Sequence, residues 1–251
     1  MTRQNRLEFS VVPKEPSGCV VVFHEVWGLV KHTEDVCKRV SRLGFATTAP
    51  NLYGERSKLL TPDNIQAAME GVWELSLEER RDKAKVAATL DKKKVGVEVR
   101  EVVSIIYEPK FRDKMLDDAL AAVEKAHSQF GRVSTLGFCM GGALSLKCAT
   151  KSSLPTSAIS FYGQPPVTED VPNISTPILD IHAHQDEIIN KSVPAWVGAM
   201  LDGDKDLTLK TYPQTRHGFF NDTRKDVYDR SAAAESWDLV RWFLERTLGR
   251  H

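Results

Sequence analysis

Apolar positions in this chain alternate between two periodicities. Short apolar or alternating runs at residues 7–12, 19–23, 45–49, 132–136, 157–161, 176–182 and 207–211 read as strands. Between them, apolar residues recur three and four apart. Val36, Val40 and Leu43 predict a helix over 35–43, closed by Gly44. Leu116, Ala119, Leu120, Val123 and Ala126 predict another over 114–129, and Trp237, Val240, Trp242, Phe243 and Leu244 a last one over about 232–248. Strands separated by helices imply an α/β fold, a mostly parallel central sheet flanked by helices on both faces. One domain over residues 1–251 is the economical reading.

Residues 60–112 depart from this rhythm. They are highly charged, with Glu78-Glu-Arg-Arg-Asp-Lys83 and Asp91-Lys-Lys-Lys94. Helical spacing runs over about 65–90, and 101–107 reads as a β-like run. Two readings stand: solvated surface helices, or a lid over the C-terminal edge of the sheet that shapes a substrate pocket.

Charge narrows the classes. Lys plus Arg and Asp plus Glu both number 34, so nothing favours nucleic acid or an anionic membrane. No apolar stretch approaches the ~20 residues of a membrane span, and residues 1–10 lack the apolar core of a signal peptide. The four cysteines (19, 37, 139 and 148) show no C-x-x-C spacing. Cys19, Cys37 and Cys148 are expected as buried small hydrophobes, and a reducing, cytoplasmic setting is expected for the chain.

Chemistry concentrates in Gly137-Phe-Cys-Met-Gly-Gly142, which sits between a predicted strand and a helix. That is the form of a nucleophile elbow: the turn excludes a Cβ two residues before and after the nucleophile, places met by Gly137 and Gly141. Cys139 would project at a helix N-terminus, where the dipole favours a thiolate. A buried cysteine in a glycine-rich turn, or a phosphate-binding turn, is the bland alternative. His217 follows the run at 207–211 with Gly218 beside it, and Asp186 lies in the loop leaving the run at 176–182. Nucleophile, acid and histidine in the order 139, 186, 217 is the α/β-hydrolase order, with each at the C-terminal end of a predicted strand. His182-Ala-His184-Gln-Asp186 also resembles an H-x-H-x-D zinc element, but it lacks the adjoining histidine of such motifs. His182 is expected in the core and His184 in a loop, with no metal and no cofactor.

These residues resemble the dienelactone hydrolases, also called carboxymethylenebutenolidases, from about Gly18 to Leu248. The carriers are His24-Glu-Val-Trp-Gly-Leu29, Ala49-Pro-Asn-Leu-Tyr-Gly54, the cysteine elbow, Asp186-Glu-Ile-Ile189, His217-Gly-Phe219 and Tyr228-Asp-Arg-Ser-Ala-Ala-Ala-Glu-Ser-Trp237. The resemblance implies an α/β-hydrolase fold and a catalytic triad of Cys139, Asp186 and His217. It implies a further role for Glu25, which is expected to keep the thiol quiet or take its proton. The amides of Val26 and Met140 would form the oxyanion hole. Trp27, Arg80 and Arg81 are candidate substrate contacts. The family's other carboxylate-binding arginine falls on Asn221, so one anchor is replaced; Arg56, Arg216 and Arg224 are further candidates.

The implied reaction is hydrolysis of an enol lactone or activated ester through a thioester acyl-enzyme. A general carboxylesterase, a thioesterase, or a binding protein on the same scaffold are the alternatives. The expected partner is a small-molecule ester or lactone, and the chain a monomer or small homo-oligomer. Trp73 and Trp196, if exposed, would mark a contact surface.

Overall fold

The computed structural model describes residues 7–72, 74–76 and 79–249. Seven strands form one sheet: β1 (Glu8–Val11), β2 (Cys19–Phe23), β3 (Ala46–Pro50), β4 (Val133–Phe138), β5 (Pro155–Phe161), β6 (Ile178–Ala183) and β7 (Leu207–Tyr212). Their order is β1-β3-β2-β4-β5-β6-β7. Only the β1–β3 pairing is antiparallel; the rest are parallel. This is the α/β-hydrolase arrangement.

The central strands are apolar throughout because both faces are covered. Every residue of β2, β4 and β6 is buried. Successive residues of β2 feed opposite cores: Val20 and Val22 pack with α1 (Lys31–Ser41) and α8 (Arg230–Leu248). Cys19, Val21 and Phe23 pack with α5 (Pro109–Phe130) and the helices of the charged stretch. The buried face of α5 (Phe111, Met115, Ala119, Val123, Ala126) follows its predicted stripe. Burying each of its larger side chains contributes roughly 2 kcal/mol. A third cluster joins α6 (Met140–Lys151) to α7 (Val193–Asp202) through Leu146, Ala149, Trp196 and Met200.

The charged stretch differs from its sequence reading. Its helical spacing is split into α2 (Pro62–Val72) and α3 (Lys83–Lys92). Between them, Ser76 and Glu79 exchange hydrogen bonds and Asp82 caps α3. The run at 101–107 is helix, not strand: α4 (Val97–Tyr107). Its β-branched residues favour strand locally, but Val99, Val102, Val103 and Ile106 share one helical stripe facing the α2–α5 core. Tertiary burial of that stripe overrides the local preference. Trp196 is no surface marker, being 1% exposed in the α6–α7 core; Trp73 lies outside the described residues.

Candidate active site

The elbow is built by close approach of bare backbone. A Cβ on Gly137 would lie 1.9 Å from the carbonyl oxygen of Gly141, and one on Gly141 would lie 2.2 Å from that of Phe23. The first contact closes the turn, and the second presses it against the end of β2. Cys139 therefore takes φ 54° and ψ −116°, a conformation rare for any residue with a side chain. Its amide donates to Phe161 O at 2.9 Å, tying the turn to β5.

His217 stands at the other side of the sulfur. Its Nδ1 is 2.5 Å from Asp186 Oδ2, and the Cys139 thiol lies near enough to raise the imidazole pKa. Burial pulls the imidazole pKa down, but Cys139 and the hydrogen bond to Asp186 outweigh it and hold the pKa well above its usual value. Asp186 is buried too. Burial raises its pKa, while hydrogen bonds from His217 and the Ile189 and Ile188 amides bring it below the ordinary value. The structure thus brings Cys139, His217 and Asp186 together, from the ends of β4, β7 and β6.

The loop after β2 carries Glu25, Val26 and Trp27, and His24 fixes it. His24 Nε2 accepts from the Leu52 amide at 3.2 Å, so Nδ1 carries the proton and donates to Glu25 O at 2.7 Å. Burial lowers the His24 pKa to about 4, which keeps the ring neutral for this pair of bonds. Tyr53 pins the next residue, its hydroxyl donating to Val26 O at 2.5 Å and lying 4.0 Å from Met140 Sδ. Among the described residues, neither the Val26 nor the Met140 amide donates to a backbone acceptor.

Glu25 is 4% exposed, and neutral donors hold both its oxygens. Tyr162 Oη donates to Oε1 at 3.1 Å, and Asn221 Nδ2 donates to Oε2 at 2.6 Å. Tyr162 was missed in the sequence, although it directly follows β5 and precedes Gly163. Its backbone is at φ 40°, and its ring centroid is 4.9 Å from that of His217.

Trp27 is half-buried and lines two clefts, of about 400 and 250 Å³. The larger is also lined by Pro62, Asp63 and Gln66 of α2 and by Asn221, Thr223 and Arg224. Arg80 is drawn away from it: Nε donates to Leu75 O at 2.9 Å and Nη1 to Tyr107 Oη at 3.2 Å. The side chain of Arg81 lies outside the described residues. His182 is buried against Asp180 at 2.8 Å, while His184 is exposed. Among the described residues, no group of three His, Cys, Asp or Glu side chains could hold a metal.

The dienelactone hydrolase family model matches residues 8–248. The chain belongs to the dienelactone hydrolase family. Its members are ester and lactone hydrolases. A Saccharolobus solfataricus protein, named by inference a carboxymethylenebutenolidase, is 36% identical over 95% of this chain and 93% of its own. Among solved structures, a dienelactone hydrolase-like promiscuous phosphotriesterase from metagenomic libraries superposes with TM-score 0.68 at 20% identity, over 94% of this chain and 88% of its own. A dienelactone hydrolase from Anabaena variabilis gives TM-score 0.58 at 17% identity, over 96% and 91%. At these identities the two structures show the fold this dienelactone hydrolase family member shares with them. Among its described residues, no helix is long and apolar enough to cross a membrane.

Proposed function

We propose that this protein hydrolyses an enol lactone or activated carboxylic ester with Cys139 as nucleophile, His217 as acid and base, and Asp186 as the group that orients His217. The observation that carries the reading is the His217–Asp186 hydrogen bond beside a cysteine on a strained strand–helix elbow.

The thiolate attacks the carbonyl carbon, and the resulting oxyanion accepts from the Val26 and Met140 amides. Collapse expels the enolate or alkoxide, which takes the proton from the His217 imidazolium and leaves a thioester on Cys139. His217, neutral again, removes a proton from water, whose oxygen attacks the thioester. The second tetrahedral intermediate expels the thiolate and releases the acid. Asp186 holds one tautomer throughout. A thiolate is itself a good leaving group, so the forward path favours substrates whose alcohol portion leaves well.

Two variants and a mass measurement test this. Cys139→Ala should reduce p-nitrophenyl acetate hydrolysis to the uncatalysed rate. In Asp186→Asn, quenched during turnover, an acetyl adduct should map to Cys139. Undiminished esterase activity in Cys139→Ala would overturn the reading.

A further inference from the structure

Among the described residues, the cleft beside Trp27 holds no spare cation for an anionic substrate. Arg224 lies over the Trp27 ring at 5.3 Å, yet Asp226 takes it with two bonds, Nε–Oδ1 at 3.0 Å and Nη2–Oδ2 at 2.7 Å. Lys31 is ion-paired with Asp35. Arg216 donates to the carbonyl of Asp226, and Arg56 faces Glu108 at 3.6 Å and stacks over Phe111. Arg80 is spent on Leu75 and Tyr107 within the charged stretch.

The anions are not matched in the same way. Behind Asn221, Glu25 is held by an amide and a hydroxyl, neither of which cancels its charge. Asp63 lines the cleft with no ion-pair partner among the described residues. The two cations of the cleft wall, Lys31 and Arg224, are each engaged by a carboxylate, while Glu25 and Asp63 add two further carboxylates at or behind the wall. The remaining walls are apolar: Trp27, Val30 and Pro62. The cleft adjoins the expected oxyanion loop, since Trp27 directly follows Val26 and Asn221 of the cleft wall bonds Glu25.

We propose that the acyl part of the substrate is uncharged, an aryl or alkyl ester or lactone whose hydrocarbon body packs on Trp27. This rests on the hydrolase reading above and names its substrate class. Burial against Trp27, Val30 and Pro62 supplies the affinity. An acyl chain ending in a carboxylate would lose its hydration beside Glu25 and Asp63, with no unpaired guanidinium among the described residues of the cleft to replace it.

The test is kcat/KM on three p-nitrophenyl esters of equal acyl length, ending in a methyl, a carboxylate or a trimethylammonium group. The methyl ester should exceed the carboxylate ester by 100-fold or more and the trimethylammonium ester by at least 10-fold. Asp63→Lys should then raise the carboxylate-to-methyl ratio at least fivefold, a change that a purely structural Asp63 would not give. Trp27→Ala should lower kcat/KM for the methyl ester while leaving its rank above the carboxylate ester. Equal or better use of the carboxylate ester overturns this inference and leaves the hydrolase reading standing, as does preference for the trimethylammonium ester. Hydrolysis of none of the three, with Cys139 inert to iodoacetamide, overturns both.

Discussion

Glu25 and Asn221, 196 residues apart in the chain, meet in a 2.6 Å hydrogen bond between buried side chains. Asn221 is itself fixed, its Oδ1 accepting from the amide and hydroxyl of Thr223 at 3.1 and 2.6 Å. The bond joins the loop after β2 to the loop carrying His217, so one amide group ties the expected oxyanion-hole segment to the expected base. Asn221→Leu would leave Glu25 Oε2 buried without a donor. We expect about 1–3 kcal/mol lower stability by urea denaturation and roughly tenfold lower kcat on p-nitrophenyl acetate. Wild-type values for both would show that the bond positions nothing.

The elbow glycines make opposite predictions from a helical one. Gly137→Ala meets backbone at 1.9 Å, and backbone cannot yield without opening the turn. A loss of more than about 3 kcal/mol, or failure to fold, is expected. Gly198 lies within α7 with nothing near its Cβ position. Gly198→Ala should gain about 0.5–1 kcal/mol. Thermal melts of the two variants would compare them directly.

Asp186 raises the His217 pKa through its hydrogen bond and its charge. Asp186→Asn should therefore let the imidazolium lose its proton at lower pH than in the wild type, visible in the histidine signals of an NMR titration. The same variant should lose roughly 10³- to 10⁴-fold in kcat, because the orienting carboxylate is gone. An unchanged titration would mean that His217 is held by something else.

His24 links acid stability to the site. Its folded pKa of about 4 lies below the ordinary imidazole value of 6.5, so the unfolded chain binds the proton more readily. The contribution to stability is complete above pH ~6.5 and is lost as pH falls towards ~4, by about 3 kcal/mol. Urea midpoints across that range should show the fall, and His24→Gln, unable to titrate, should show a shallower one.

The strands and the elbow were legible in the sequence for physical reasons. Buried parallel strands must be apolar on both faces, and β2, β4 and β6 carry that signature. The elbow's glycines are demanded by contacts that no larger residue survives. What was illegible depended on partners far along the chain. The stripe of α4 reads as strand until α2 and α5 are there to cover it. Nothing in the sequence marked Tyr162 or gave Tyr53 a role of its own, because what sets them apart is which distant oxygen each hydroxyl reaches. Asn221 stood out only as the place where an arginine was missing. Its bond to Glu25 became visible once both loops were in place.

The backbone of Cys139 also means that this protein is less stable than its own fold allows. A residue bearing a side chain at φ 54°, ψ −116° carries about 1–3 kcal/mol of strain, in a region that glycine enters freely. Cys139→Gly should thus be inactive yet melt no lower than the wild type. Selection for stability alone would remove the sulfur, and the proposed nucleophilic role is a demand that would keep it at that angle.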